Sequence, residues 1–289
     1  MRRQTSRPSA RRAKPKKSSK KITQGKILKY SLLLLFSAFL IAMAYQYRHG
    51  FLYWLGFKTD RRIESLSKEE RKIADLRTYE ILARHKDKVF GIDVSHYQGK
   101  IEWETVANDN PDFPLGFVFV RATAGGKKLD SEFKNNWKGA KSNGFLRGAY
   151  HYYRPDENSI KQADNFIKNV KLSEGDLPPV LDIEKIPNKQ NLDSLKTGLK
   201  RWLVKVENHY GVKPIIYSGE SFYSDFLKKE FKGYDLWIAN YSVFADEIRK
   251  DWLFWQFTDK ATLKGIETNI DVNIYNGSYV ALRKMCIKI

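Results

Sequence analysis

Residues 178–184 read Pro178, Pro179, Val180, Leu181, Asp182, Ile183, Glu184, an apolar run with two carboxylates set two residues apart. A strand buried on both faces is written as near-continuous Val, Ile and Leu, the pattern of a parallel sheet covered by helices. Acids are almost never placed in such surroundings without partners or a task. Because strand side chains alternate faces, Asp182 and Glu184 project to the same side, roughly 6.6 Å apart along the backbone at about 3.3 Å per residue. From the pair alone two readings stand open, a set of structural ion-pairing acids or a reaction centre.

Working outward, short β-rich runs alternate with amphipathic stretches. Strands are expected over Val89–Ser95, Gly116–Ala122, Leu146–Tyr153, Val180–Glu184 and Pro214–Ser218. Helical periodicity fills Ser131–Asn143, Asn158–Val170 and Leu192–Tyr210, the last stopped by Gly211. Repeated strand–helix units imply a parallel sheet. The last third differs, because the runs Asp235–Tyr241, Trp252–Thr258 and Ile270–Tyr275 leave little room for helices. The expected fold class is α/β, an irregular TIM-like barrel of eight strands with helices missing in its last third. In such a barrel the reactive groups sit at the carboxyl ends of the strands.

Ahead of this unit the composition changes sharply. Of the net charge of +19, +12 belongs to residues 1–29, which contain no acid, and +7 to the remainder. Residues 30–47 are uncharged and mostly apolar, at the short end of the ~17–25 residues that span a bilayer. The expected organisation is a basic cytoplasmic tail at 1–29, a transmembrane signal-anchor at 30–47, an interfacial segment and polar helical stalk at 48–87, and the barrel at 88–289. The positive-inside rule then exports the barrel, giving a single-pass inner or cytoplasmic membrane protein with its barrel periplasmic or extracellular. A signal peptide cleaved behind Ala42 and Ala44 is the rival reading. The basic head lacks interleaved aromatics and any recognisable module, so nucleic acid is not expected as a partner. The single cysteine, Cys286, allows no internal disulfide.

Four acids fall at or near expected strand ends: Asp93, Asp182, Glu184 and Asp271. Tyr150, Tyr152, Tyr217, Trp237, Tyr241 and Gln256 fall at comparable positions, and aromatic faces beside carboxylates describe a carbohydrate cleft. The same aromatics are also ordinary packing material on strands. His151 is read as a core residue and not as a general base. No ligand spacing, phosphate-cradling loop or nucleophile elbow is visible, so neither metal nor cofactor is expected.

The ordered motifs Gly-Ile-Asp-Val-Ser-His-Tyr-Gln-Gly at 91–99, Arg-Ala-Thr at 121–123, Gly-Ala-Tyr-His-Tyr at 148–152, Leu-Asp-Ile-Glu at 181–184, Ile-Tyr-Ser at 216–218, Leu-Trp-Ile-Ala-Asn-Tyr at 236–241, Trp-Gln-Phe at 255–257 and Ile-Asp-Val-Asn at 270–273 carry a resemblance. Over about residues 88–280 the chain resembles the family 25 glycoside hydrolases, the barrel lysozymes that cleave bacterial peptidoglycan. The resemblance implies hydrolysis of the β-1,4 bond between N-acetylmuramic acid and N-acetylglucosamine in peptidoglycan glycan strands. It makes Glu184 the general acid and Asp182 the carboxylate that assists a 2-acetamido group or positions water, with Asp93 and Asp271 lining the cleft. Three alternatives remain at this point: a tethered glycan-binding protein without turnover, a spacer domain, and a chitinase-type hydrolase. The last would carry an acid at the position of Val180.

Overall fold

The computed structural model describes residues 24–46, 67–111, 114–242 and 244–288, with side chains of the first helix described over 29–41. The basic tail through residue 23, the interfacial patch and the first part of the expected stalk lie outside the described residues. Two units are described separately, Met1–Arg48 and His49–Ile289.

In the first unit a helix covers Gln24–Gln46. Its apolar side chains Leu32–Leu35, Phe36, Phe39, Leu40 and Ile41 are all exposed. Among the described residues no helix is long and apolar enough to cross a membrane, so the expected span at 30–47 is not shown.

In the second unit nine strands form one sheet: β1 (Val89–Val94), β2 (Leu115–Ala124), β3 (Lys128–Leu129), β4 (Leu146–Tyr152), β5 (Val180–Asp182), β6 (Ile215–Gly219), β7 (Leu236–Ala239), β8 (Phe254–Leu263) and β9 (Ile266–Tyr275). The order runs β1-β9-β8-β7-β6-β5-β4-β2, and the β1–β2 pairing closes the ring, leaving β3 as a short appendage on β2. Eight strands thus make the barrel wall, all at the expected runs. β1, β5 and β6 are buried at every residue, and their side chains alternate between the lumen and an outer core. Phe117, Phe119, Val180, Ile215 and Phe254 fill the lumen, while Val118, Val120, Leu181, Ile216 and Ile238 pack outward in the larger core. Helices Phe133–Ser142, Ser159–Asn169 and Leu192–Tyr210 supply the other side of that core. Asn158 and Asn191 cap the latter two, and Gly211, at φ 69°, ends the third with its N–H on Glu207 O.

Two expectations are corrected. The wall is not parallel throughout: β9 runs antiparallel to both β8 and β1. Leu263 pairs with Ile266, so the β8–β9 connection is a two-residue turn, and a link that short makes a hairpin because a parallel crossover needs a dozen residues or more. Gly265 sits in that turn at φ 92°, where a Cβ would also lie 2.8 Å from Glu102 O.

The second correction concerns the stalk. Its helix, Lys68–Arg84, opens on a Ser67–Glu70 capping box and lies against β8. Ile81 and Leu82 are buried in the barrel's outer core, and Arg77 Nη2 donates to Ala245 O at 3.1 Å. Ile73 and Leu76 on the same helix face solvent. The side chains that seat it are Thr78, Ile81 and Leu82 near its end.

His151 meets the expectation of a core residue. It is fully buried on β4, stacked on Trp202, with Nδ1 2.7 Å from Thr123 Oγ1 and Nε2 3.2 Å from Gln162 Oε1. Gln162 directs its amide N–H groups at Arg154 O and Glu157 O, so its Oε1 is the acceptor and Nε2 of His151 carries the proton. Burial is the chief cause that depresses the imidazole's pKa from 6.5 to about 4. A base whose folded pKa is depressed is protonated preferentially in the unfolded chain. The stability it supports is complete above about pH 6.5 and is lost progressively as pH falls toward about 4. Unfolding free energy measured against pH is expected to drop by roughly 3 kcal/mol across that window on this account. The His151→Gln variant should lack that part of the slope; identical slopes would show the account to be wrong.

Candidate active site

Cross-strand pairing sets the site's geometry, because residues directly opposite each other point to the same face. Tyr152 pairs with Asp182, Asp182 with Tyr217, and Tyr217 with Trp237. These four side chains therefore stand in one row across β4, β5, β6 and β7, facing the lumen side that Val180 also faces. β5 ends at Asp182, so Glu184 lies just past the strand and not within it. The backbone nonetheless stays paired with β6, since Ile183 N donates to Tyr217 O at 3.0 Å and Ile183 O accepts from Ser218 Oγ at 2.7 Å. Ile183 is buried in the outer core, which keeps the alternation going and directs Glu184 to the same side as Asp182. Asp182 is buried and Glu184 half-buried at this rim.

On the other half of the barrel Asp93 pairs with Asp271. Because β9 runs antiparallel, its earlier residues lie level with the carboxyl end of β1, and this brings Asp271 to the same rim as Asp93. Both are buried. Like charges directly opposite each other repel, so the placement of Asp93 depends on what holds it. Its Oδ2 accepts from Gln256 Nε2 at 2.6 Å and from Asn273 Nδ2 at 2.8 Å. Asn273 Oδ1 in turn accepts from Trp237 Nε1 at 2.7 Å. Gln256 Oε1 accepts from Tyr217 OH at 2.8 Å and from Tyr241 OH. One network of fully assigned donors and acceptors thus joins β1, β6, β7, β8 and β9 beneath the mouth.

The candidate residues divide by exposure. Trp237 and Gln256 are each 1 % exposed, and Tyr150 and Tyr217 are also buried. Trp237 stacks on Phe119 with centroids 4.5 Å apart and meets Tyr217 edge-on, so it forms the floor and acts upward through Asn273. Tyr152 is partly open, and Tyr241 is 40 % exposed. Two residues with a place in the site had no role assigned from sequence. Asn273 is the last residue of the quoted 270–273 motif. Tyr97, three residues past β1, is 49 % exposed and lies against the Arg121 guanidinium at 5.0 Å. Arg121 is held by Asp130, which also accepts from the His96 backbone N–H at 3.2 Å. The signal for Tyr97 was its position in the 91–99 motif, four residues after Asp93.

Four carboxylates and open aromatic rings at the rim of a closed barrel are the arrangement of a glycoside hydrolase. The chain belongs to glycosyl hydrolases family 25, whose family profile matches residues 92–266. It is 40 % identical over 198 residues to the uncharacterized protein YegX of Escherichia coli K12, covering 68 % of this chain and 72 % of that one. Lysozyme M1 of Streptomyces globisporus is 31 % identical over 210 residues, covering 67 % and 70 %. Among solved structures, a family 25 glycosyl hydrolase from Bacillus anthracis superposes with a TM-score of 0.62 at 30 % identity, covering 70 % of this chain and 95 % of that chain. Among the described residues no group of His, Cys, Asp and Glu could hold a metal ion.

Replacing Asn273 by the similarly sized Leu removes one donor from Asp93 and the acceptor of Trp237 Nε1, leaving both groups buried. Asn273→Leu is expected to lower the unfolding free energy by about 2–4 kcal/mol in a denaturant titration. A loss below about 0.5 kcal/mol, the scale of an ordinary surface change, would contradict the network.

Proposed function

We propose that this chain is a peptidoglycan hydrolase, a lysozyme that cleaves the β-1,4 bond between N-acetylmuramic acid and N-acetylglucosamine. The observation that carries the reading is the lumen-facing pair Asp182 and Glu184 at the end of β5, opposite Asp93 and Asp271, in a family 25 chain. In this reading Glu184, half-buried at the rim, is the general acid that protonates the leaving oxygen. Asp182, buried one level deeper, orients the 2-acetamido group of the sugar for attack on its own anomeric carbon, or positions water. Asp93 has a fixed orientation and lines the cleft with Asp271, while Tyr97, Tyr152 and Tyr241 offer ring surface to the sugars. Trp237, Gln256, Tyr150 and Tyr217 serve from below. A chitinase-type site gains no support, because the position it would fill with an acid is the fully buried Val180.

The helix Gln24–Gln46 is proposed as a retained membrane anchor, with its basic flank in the cytoplasm and the barrel outside. The exposed apolar side chains over 32–41 support this. The proposed divisions keep 1–29 as tail and 30–47 as anchor, but the helix Lys68–Arg84 belongs with the barrel.

Proton donation by a positioned acid contributes about 10²- to 10⁴-fold to rate. Glu184→Gln is therefore expected to lower kcat on purified peptidoglycan by at least about 10²-fold with KM little changed, followed as release of soluble glycan fragments. Turnover equal to the parent's would remove Glu184 from its role.

A further inference from the structure

A second groove lies on the outside of the barrel, between the helix Phe133–Ser142 and the end of the helix Ser159–Asn169. It encloses about 310 Å³ and is lined by Lys134, Trp137, Lys138, Lys141, Arg147 and Lys171, among others. Arg147 is the second residue of β4, whereas the rim of the mouth is reached at Tyr152. At about 3.3 Å per residue the two sites are separated by roughly 17 Å along that strand.

The charge of this groove is not balanced from within. Lys134, Lys138 and Lys141 share one helix face with Trp137, and like charges at i,i+4 destabilise a helix. The first turn of that helix carries no acid. Among the described residues no carboxylate stands within ion-pair distance of Lys134, Lys138, Lys141 or Lys171. Lys141 donates to Ser173 Oγ at 2.9 Å. Asp176, the acid nearest in the bonding pattern, is fully engaged: it is buried, takes both Nε and Nη2 of Arg147 at 2.7 and 3.3 Å, and accepts from Ser173 N and Oγ. Arg147 also lies over the Trp137 ring at 3.9 Å and donates to Trp137 O, so the indole is held in place as a wall.

Four uncompensated ammonium groups around a fixed indole suit a ligand with carboxylates and an apolar face. None of the lining residues is an exposed large hydrophobe, so the groove offers nothing to insert into a bilayer. We propose that this groove is a second, non-catalytic binding site for the wall polymer, gripping the carboxylates of its peptide side arms while a different strand occupies the mouth. The proposal rests on the reading of the chain as a peptidoglycan hydrolase. The site would hold the enzyme on cross-linked wall without taking part in bond cleavage.

The test uses the full chain in detergent, with a Lys134→Glu/Lys138→Glu double variant and, as a second variant of smaller perturbation, Lys171→Glu. Retention on purified peptidoglycan sacculi is measured by co-sedimentation in the Glu184→Gln background, and turnover of a short soluble peptide-free glycan in the active background. The double variant is expected to be retained about tenfold less than its parent at low salt. That difference should shrink at high salt, because exposed charges are screened. Turnover of the short glycan should be unchanged, and sacculi stripped of their peptides should retain parent and variant equally. Equal retention of parent and both variants on intact sacculi would overturn the proposal. So would lysine-dependent retention on stripped glycan, or lysine-dependent capture by anionic phospholipid vesicles in place of sacculi. If instead the parent leaves the short glycan and the sacculi uncut, the reading as a hydrolase fails on its own, whatever the retention shows.

Discussion

Asp93 sits across a strand boundary from another carboxylate, and everything at the mouth depends on how it is held there. The chain has no metal-ligating cluster among its described residues to offset that charge. It uses two side-chain amides instead, Gln256 and Asn273, both directing N–H groups at one oxygen of Asp93. Hydrogen bonds to a charged group are stronger than those between neutral groups. Each amide is then oriented through its own oxygen, Asn273 by Trp237 and Gln256 by Tyr217 and Tyr241. Buried polar groups are costly unless fully satisfied, and this network ties the acid to the aromatic floor of the lumen. The floor is apolar packing with a polar edge: Trp237 stacks on Phe119 with one side of its indole and bonds upward with its N–H.

That arrangement requires the barrel to close as it does. If β9 ran parallel to β1, the residues flanking Asp271 would be reversed in level, and Asn273 would not lie below the acid. The two-residue turn at Lys264–Gly265 enforces the hairpin, and the hairpin puts Asp271 beside Asp93 and Asn273 one lumen-facing step deeper. Gly91, which pairs with Asn273, has no room for a side chain, because a Cβ there would fall 2.5 Å from the Phe117 ring. Across the lumen, β5 contributes its pair by simple alternation, with Leu181 and Ile183 buried outward. Strand alternation thus sets the side on which the dyad stands, and the amides of Gln256 and Asn273 orient Asp93.

Much of this was legible in the sequence, and the reasons differ by element. The strands were visible as apolar runs of the right length, and the helix end at Gly211 followed capping chemistry that acts locally. The direction of β9 was not read, since apolar alternation is the same for either direction and only the short turn distinguishes them. The seat of the helix Lys68–Arg84 was missed because the sequence does not distinguish its exposed Ile73 and Leu76 from its buried Ile81 and Leu82. At the site, the acids stood out because carboxylates are rare in apolar strands. Trp237 and Gln256 were found but their burial was not, since sequence gives the face of a strand and not the level at which the lumen fills. Asn273 was passed over because its importance lies in a contact with a residue 180 positions away.

The central claim is that this mouth cleaves the wall polymer on the muramic acid side of its repeat. The identity of the newly formed reducing sugar tests it most directly. Peptidoglycan digested with the full chain, treated with borohydride and hydrolysed, should yield reduced N-acetylmuramic acid derivatives in proportion to the glycan released. Reduced N-acetylglucosamine derivatives in their place, or release of peptides with no new reducing ends, would contradict the account.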